Sequence, residues 1–504
     1  MRIWPDLPPG LLGDDSPWAA RGRYRDASHV RFTPAPEIMG GWEALTPQTA
    51  AGVCRSLFAW TDGAGTPNVA LGSHSRLQLW KGGGFHDITP AAFVAGAEHG
   101  AGGAGYGTGT YSSGGYSEPS TADHFPLTWS FGAYGQNLIA CPRGQTLFRW
   151  SNVAGTPAQP LAGAPAKAAF VLTTPQNTIL ALGCAPEGAT QASPVCIREC
   201  DPADPTVWTT AAANLARQKL LEGGGRLVAG RVVGLETVFA WTDQALYQGV
   251  WTGDPATPRV WYRVAGGCGL IAPGAAAVLG QTAYWLSPDG QFFQCVLGGA
   301  PEAIACFIQR DLWDNLAPSQ ADKIVASTTS RFGEIRWDYP DARDGEGLEV
   351  SRAVVLSPAF GWTKTRHART ARTDAGAIGN PLAVTPEKRI VHEERGGSAD
   401  GAPLAWSLET NDFALGEGDQ LFLVRSVLPD VQGQRGTANL TLSGRMEAQA
   451  PESQPLVVAV GPGEGALDVL LSARIARWRL EGASSPATGR FGRIGFDVAP
   501  QSLR

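Results

Sequence analysis

The sequence predicts an all-β protein: a β-propeller-like domain of about five to six blades, followed by a C-terminal antiparallel β-sandwich-like domain. Three observations carry this expectation. Sixty-four Gly and 37 Pro are spread through 504 residues, so short apolar runs are separated by dense turn formers, which favours many strands over long helices. Runs that end near an aromatic residue recur from about residue 54. After about residue 376 that texture stops and longer alternating runs replace it.

Residues 1–51 read as an N-terminal arm with strands. Val30–Phe32 suggests a short strand, Pro34 to Pro36 a turn, and Gly40-Gly41 a second turn before Trp42. The segment lacks the mass for its own core, so it is expected to lie on something larger.

Residues 52–375 are expected to form the propeller. Trp60 matches Trp129, Val69 to Leu71 matches Leu138 to Ala140, and Trp80 matches Trp150. The run Phe58-Ala59-Trp60-Thr61-Asp62 returns letter for letter as Phe239-Ala240-Trp241-Thr242-Asp243. Looser copies lie at Ala169 to Gly183, Thr282 to Val296 and Lys323 to Tyr339. The first two copies stand too far apart for a blade because a Gly/Tyr-rich insertion at about 95–124 separates them. Taking out roughly 30 residues leaves a repeat of about 40, the length of a four-stranded blade. One small sheet cannot bury both faces alone, so blades stack around an axis with aromatic filler between them. The insertion reads either as a mobile surface loop or as one that orders on a partner through Tyr106, Tyr111 and Tyr116.

Residues 376–504 carry DQLFLVRSVLPDV, TANLTLSGRMEA and ALDVLLSARIARWRLEG. Alternation of this kind suits a separate antiparallel domain with one wet face. Arg474, Arg477 and Arg479 fit such a face.

Composition narrows the function. Charged residues are 17 % and hydrophobic ones 43 %, too apolar for disorder. The net charge of −6 gives no basic footprint for wrapping nucleic acid. No run approaches the roughly 18 apolar residues of a membrane span. The start MRIWPDLPPGLLGDD lacks the pattern of a secretory signal, so synthesis and assembly in a cytoplasm are expected. The eight Cys then read as reduced, buried, small apolar residues. The Cys196 and Cys200 spacing lacks the further ligands of a zinc site, and no metal, cofactor or catalytic residue is assigned. No G-x-S-x-G, P-loop or H-E-x-x-H occurs. Asp62, Asp87, Asp243, Asp289 and Asp338 fall at turns, where Asp is common for conformational reasons. A glycosidase would need two of them facing across a cleft. One basic stretch, Lys364, Arg366, Arg369 and Arg372, is a candidate contact for DNA phosphate or a neighbouring subunit, beside the alternative of a solvated face.

Several runs in order resemble the tail nozzle proteins of short-tailed bacteriophages, also called tail-hub or packaged-DNA stabilisation proteins. They are VRFTPAPEIMGGWEAL, LFAWTD with SRLQLWKGGGFHDITP, the Gly/Tyr tract leading into LTWSFGAYGQNLIACPRGQTLFRW, WSLETNDFALGEGDQLFLVRSVLPDV, and ARIARWRLEGASSPATGRFGRIGFDV. The likeness weakens between about 160 and 400. It implies a non-enzymatic virion protein of the tail, assembled in the host bacterial cytoplasm as a homohexamer around the DNA exit channel. Such a ring meets a portal-adaptor ring above and tail fibres, spikes or a needle below. It retains packaged double-stranded DNA, then conducts it at ejection without sequence specificity. A carbohydrate-binding β-propeller acting as a phage receptor-binding protein is the alternative, resting on Trp and Tyr at turns. A propeller glycoside hydrolase has the least support.

Overall fold

A computed structural model describes residues 1–100 and 125–501. Seven four-stranded antiparallel sheets among these residues follow one another along the chain. Their inner strands are Cys54–Thr61, Trp129–Tyr134, Phe170–Thr173, Leu227–Val233, Ala276–Leu279, Val325–Thr329 and Ala371–Thr373. Each inner strand touches the next, and Ala371–Thr373 touches Cys54–Thr61, so the ring is closed. The protein is a seven-bladed β-propeller, where five or six blades were expected.

The seventh blade accounts for the difference. Ala371–Thr373, Leu382–Val384 and Arg389–Glu393 are completed on the outside by Trp42–Thr49. The pairing register runs Arg389 with Thr49 and Glu393 with Trp42. Sheet pairing therefore carries the repeat past residue 375 to Glu393, and part of the expected N-terminal arm belongs to the propeller.

Burial explains why these segments are strands of this kind. The second strand of each blade has sheet neighbours on both edges and blades on both faces. Asn137–Pro142, Ile179–Leu182, Thr237–Thr242 and Glu334–Tyr339 are accordingly buried almost throughout, and they read as continuous runs. Outer strands such as Gln159–Pro160 and Arg217–Leu220 are mostly exposed. Indole rings fill the seams between blades. Trp129 Nε1 donates to the Ser73 carbonyl at 2.8 Å, and Trp337 Nε1 to the Ala275 carbonyl at 3.1 Å. Trp241 and Trp285 pack with centroids 5.5 Å apart, Phe292 and Trp337 at 4.9 Å. Gly72 is required beneath Trp129, since a Cβ there would stand 2.3 Å from Cδ1 of the indole.

The five-letter repeat proves to be out of phase. Phe58 to Asp62 ends an inner strand, whereas Phe239 to Asp243 ends a second strand. The match of Val69 to Leu71 with Leu138 to Ala140 is in phase, both lying on second strands. Trp80 and Trp150 are likewise both on third strands.

The remaining strands form a second unit built from both ends of the chain. Arg2–Ile3 joins Gly495–Pro500, Phe422–Leu428 and Leu467–Ala473 in one sheet. Tyr24–Ser28 joins Leu404–Thr410, Ile475–Ser484, Ala438–Arg445 and Leu456–Val460 in another. Val30–Phe32 and Pro36–Ile38 join Thr488–Phe491 and Val431–Arg435 in a third. All pairings are antiparallel, as expected, but the strands divide among three sheets and draw on the first 38 residues. Trp406, Trp478, Phe422 and Phe496 fill the core.

The propeller is thus inserted between two stretches of this terminal unit and joined by two crossings. The crossings are bonded to each other: Gly41 N–H to the Gly396 carbonyl, Trp42 N–H to the Ser398 carbonyl, and Arg395 N–H to the Gly41 carbonyl, each 2.9 Å. They approach so closely that a Cβ on Gly41 would lie 2.2 Å from the Ser398 oxygen. Among the described residues no helix is long and apolar enough to cross a membrane.

Candidate functional site

Two places concentrate chemistry: the junction between the units and the propeller's central channel. The junction forms where Val30–Phe32 and Tyr24–Ser28 lie against the outer strand of blade 6, Gly361–Thr365. Arg31, 2 % exposed, reaches from the terminal unit into the propeller. Its guanidinium binds Glu334 through Nε and Nη2 at 2.9 and 3.1 Å, and Glu394 through Nη1 at 3.0 Å and Nη2 at 2.5 Å. Behind it, Arg336 clamps Asp338 at 2.9 and 2.7 Å. Forked guanidinium–carboxylate bonds of this sort fix orientation as well as charge.

The basic stretch singled out from the sequence lies here, and the structure turns most of it inward. Arg369 Nε donates to Glu393 Oε1 at 2.5 Å and Arg372 Nε to Glu393 Oε2 at 2.6 Å. Arg372 also binds Ser327 Oγ and the Thr328 carbonyl. Lys364 Nζ sits 2.6 Å from Asp26 and 3.1 Å from Asp311. Only Arg366 of the four is exposed. Arg369 is therefore an internal tie within blade 7 and Arg372 a tie from blade 7 to blade 6, both buried and closed to phosphate. Tyr106, Tyr111 and Tyr116 lie outside the described residues.

Charge in the junction balances: Arg31, Arg336, Arg369 and Arg372 face Glu334, Asp338, Glu393 and Glu394. Burial works to raise the Glu393 carboxyl, but Arg369, Arg372 and Arg336 outweigh it and hold it well below the usual range. Two imidazoles complete the cluster. His29 and His367 meet edge to face at 4.7 Å. Burial, then His367, Arg336 and Arg369, keeps the His29 pKa far below normal against the Gly40 carbonyl bond. Burial brings His367 down to about 4, with Arg369 and Arg336 adding and the Ala405 carbonyl and Glu393 opposing.

The channel is walled by the inner strands. Free strand edges would leave unpaired amides there, and serines and carbonyls of adjacent blades take them up. Trp129 N–H donates to Ser56 Oγ at 3.2 Å, Val171 N–H to Ser130 Oγ at 2.8 Å, and Ala326 N–H to the Gly274 carbonyl at 2.7 Å. At the end where the inner strands begin, residues 96–100 lie across the wall. Arg55 binds the Glu98 carbonyl at 3.2 Å, Gln320 exchanges two bonds with Gly100, and Lys323 Nζ meets His99 Nδ1 at 2.7 Å. Burial, with Arg55 adding, lowers Lys323 to about 8, while Glu349 and Glu98 oppose.

The turn aspartates spend their carboxylates locally. Asp62 accepts the Ala64 and Thr66 N–H groups and the Lys81 ammonium at 3.0 Å. Asp243 accepts the Arg226 N–H at 2.8 Å, and Asp87 accepts the Thr89 N–H and binds Arg76. Asp289 holds Ser287 Oγ. All eight Cys are unpaired, and no group of three or more His, Cys, Asp or Glu suited to a metal occurs among the described residues. The Trp and Tyr side chains behind the sugar-binding alternative are largely core: Trp150, Trp208, Trp241, Trp285, Trp337 and Tyr339 are fully buried. Sequence reasoning missed Arg31, Glu334 and Glu393, whose partners lie hundreds or tens of residues away.

No protein-family model matches the chain, and no curated protein does. Among solved structures, a chain of the mitotic checkpoint complex aligns at 10 % identity, covering 68 % of this chain and 92 % of that one, with a TM-score of 0.39. BamB from Moraxella catarrhalis aligns at 11 %, covering 69 % and 99 %, with a TM-score of 0.35. YCF48 bound to D1 peptide aligns at 7 %, covering 70 % and 97 %, with a TM-score of 0.37.

Proposed function

We propose that the chain is a structural, non-catalytic subunit of a tail nozzle in a short-tailed bacteriophage, forming a homohexameric ring around the DNA exit channel. One observation carries the reading. The runs at the two ends that resemble nozzle proteins, 30–45, 406–431 and 473–498, lie far apart in sequence yet fold as partners. Val30–Phe32 and Pro36–Ile38 share a sheet with Thr488–Phe491, and Tyr24–Ser28 pairs with Leu404–Thr410. A peripheral propeller and a β-rich unit beside the lumen is the division of labour the resemblance implies. The buried junction suits such a part, because a conduit under internal DNA pressure needs its two halves fixed rather than hinged.

In this reading the terminal unit lines the channel, and the net charge of −6 leaves duplex DNA free to slide. The portal-adaptor ring docks above and fibres, spikes or a needle below. Native mass spectrometry and negative-stain imaging of the purified chain test it. The expected result is a six-membered ring with a lumen wide enough for a duplex of about 20 Å, present also in purified virions. A chain that stays monomeric at every concentration and is absent from virions overturns the reading.

A further inference from the structure

We propose that the propeller channel is a binding site for a small organic anion: one carboxylate-type head on a flat apolar body. The channel holds a cavity of about 340 Å³, within the lower range of small-ligand pockets. Its walls are chemically unlike. Blades 1 to 3 present Phe58, Phe131, Phe170 and Leu172, and blade 4 presents Arg231.

Arg231 differs from every other cation on that wall. Arg55 is matched by Glu349 at 2.5 Å, and Arg372 by Glu393. Lys323 is engaged by His99 and the Leu348 carbonyl. Arg231 binds carbonyls only: Nε to Ala276 at 3.0 Å, Nη1 to Gly230 at 2.8 Å, and Nη2 to Pro273 at 3.1 Å. It forms no salt bridge among the described residues, and desolvation lowers its pKa to about 10. The carbonyls hold the guanidinium rigidly and leave N–H groups over. The guanidinium is partly exposed on the cavity wall, and an anion arriving beside it would take up the remaining N–H groups in charge-assisted hydrogen bonds.

The rest of the wall selects what the anion is attached to. Neighbouring blades take up the Trp129 and Val171 amides through Ser56 and Ser130, which closes those amides to a sugar or a polyhydroxylated ligand. The Phe170 ring, 5.3 Å from the guanidinium carbon, places an aromatic face directly beside the charge. A planar apolar body set against the phenylalanines, with its anionic group on Arg231, uses both walls. This site is independent of the nozzle reading and would stand without it.

Isothermal titration of the intact protein tests the proposal with three probes: benzoate, its neutral isostere benzamide, and inorganic phosphate as a compact anion. Benzoate is expected to bind saturably, one per chain, and at least about tenfold more tightly than either control. Arg231→Met should weaken benzoate at least about tenfold. Since that change also removes bonds between blades, Val232→Trp, which fills the cavity and leaves the guanidinium in place, should abolish binding in a chain whose circular dichroism is unchanged. No saturable benzoate binding, benzamide or phosphate binding as tightly as benzoate, or undiminished binding in Val232→Trp overturns the proposal.

Discussion

The outer strands of blades 4 and 6 hold the same place in the repeat and meet opposite fates. Arg259–Gly266 is an open edge, with Val260 and Tyr262 nearly half exposed. Gly361–Thr365 is covered by the terminal unit, and its Trp362 is 2 % exposed. Blade 4 blunts its edge with the exposed Arg263, the usual defence of an unpaired strand. Blade 6 instead uses its edge as a foundation. Trp362 packs on Phe292 at 4.6 Å and donates to the Ala305 carbonyl at 2.8 Å, while Thr363 Oγ1 donates to the Val30 carbonyl at 2.6 Å. Position in a repeat sets the backbone; what arrives from outside the repeat sets the energetics.

That contrast can be broken at graded strength. Trp362→Ala should cost about 3–5 kcal/mol in denaturant unfolding, because it opens a cavity between blades 5 and 6 beneath the covered edge. Val260→Ala at the open edge should stay within about 0.5 kcal/mol. Equal effects would remove the distinction. Next, Glu393→Gln strips two buried guanidinium groups of their carboxylate and should cost about 3 kcal/mol or more. The exposed pair of Arg76 and Asp87 makes the control, where Arg76→Ala should cost about 0–1 kcal/mol.

A smaller effect follows from pH. His29 and His367 are held neutral when folded, with pKa values below the usual 6.5. The unfolded chain therefore binds protons first as pH falls. Their contribution is complete above about 6.5 and lost progressively towards 4, the value for His367. Thermal unfolding followed from pH 7 to 4 should show a falling Tm, and His367→Phe should flatten the slope. A Tm that rises over that interval contradicts the balanced-charge junction.

Much of the fold was legible because its signals are local. Strand alternation, turn residues and interblade tryptophans each act within a few residues, so the propeller could be read directly. The blade count could not, since the strand that completes blade 7, Trp42–Thr49, pairs with residues near 390. The identical five-letter runs misled because they match in letters while sitting on different strands of their blades. What both copies share is burial of a Trp, which several strand positions can supply. The basic stretch misled for a related reason. Arg369 and Arg372 look solvated beside Thr, Ala and His, and only Glu393, contributed by the third strand of blade 7, shows that they are internal.

The double crossing at Gly41 and Gly396 has a consequence for how the protein is made. Residues 1–49 emerge from the ribosome with only the pairing of Val30–Phe32 to Pro36–Ile38 available; the partners of Arg2–Ile3, Tyr24–Ser28 and Trp42–Thr49 do not yet exist. Some 340 residues separate Thr49 from Arg389, which is on the order of 20–70 s of synthesis. For that interval an open six-blade arc and a set of unpaired N-terminal strands must coexist. Closure of the ring and assembly of the terminal unit then come together, at the end, when the chain reaches back to its own beginning.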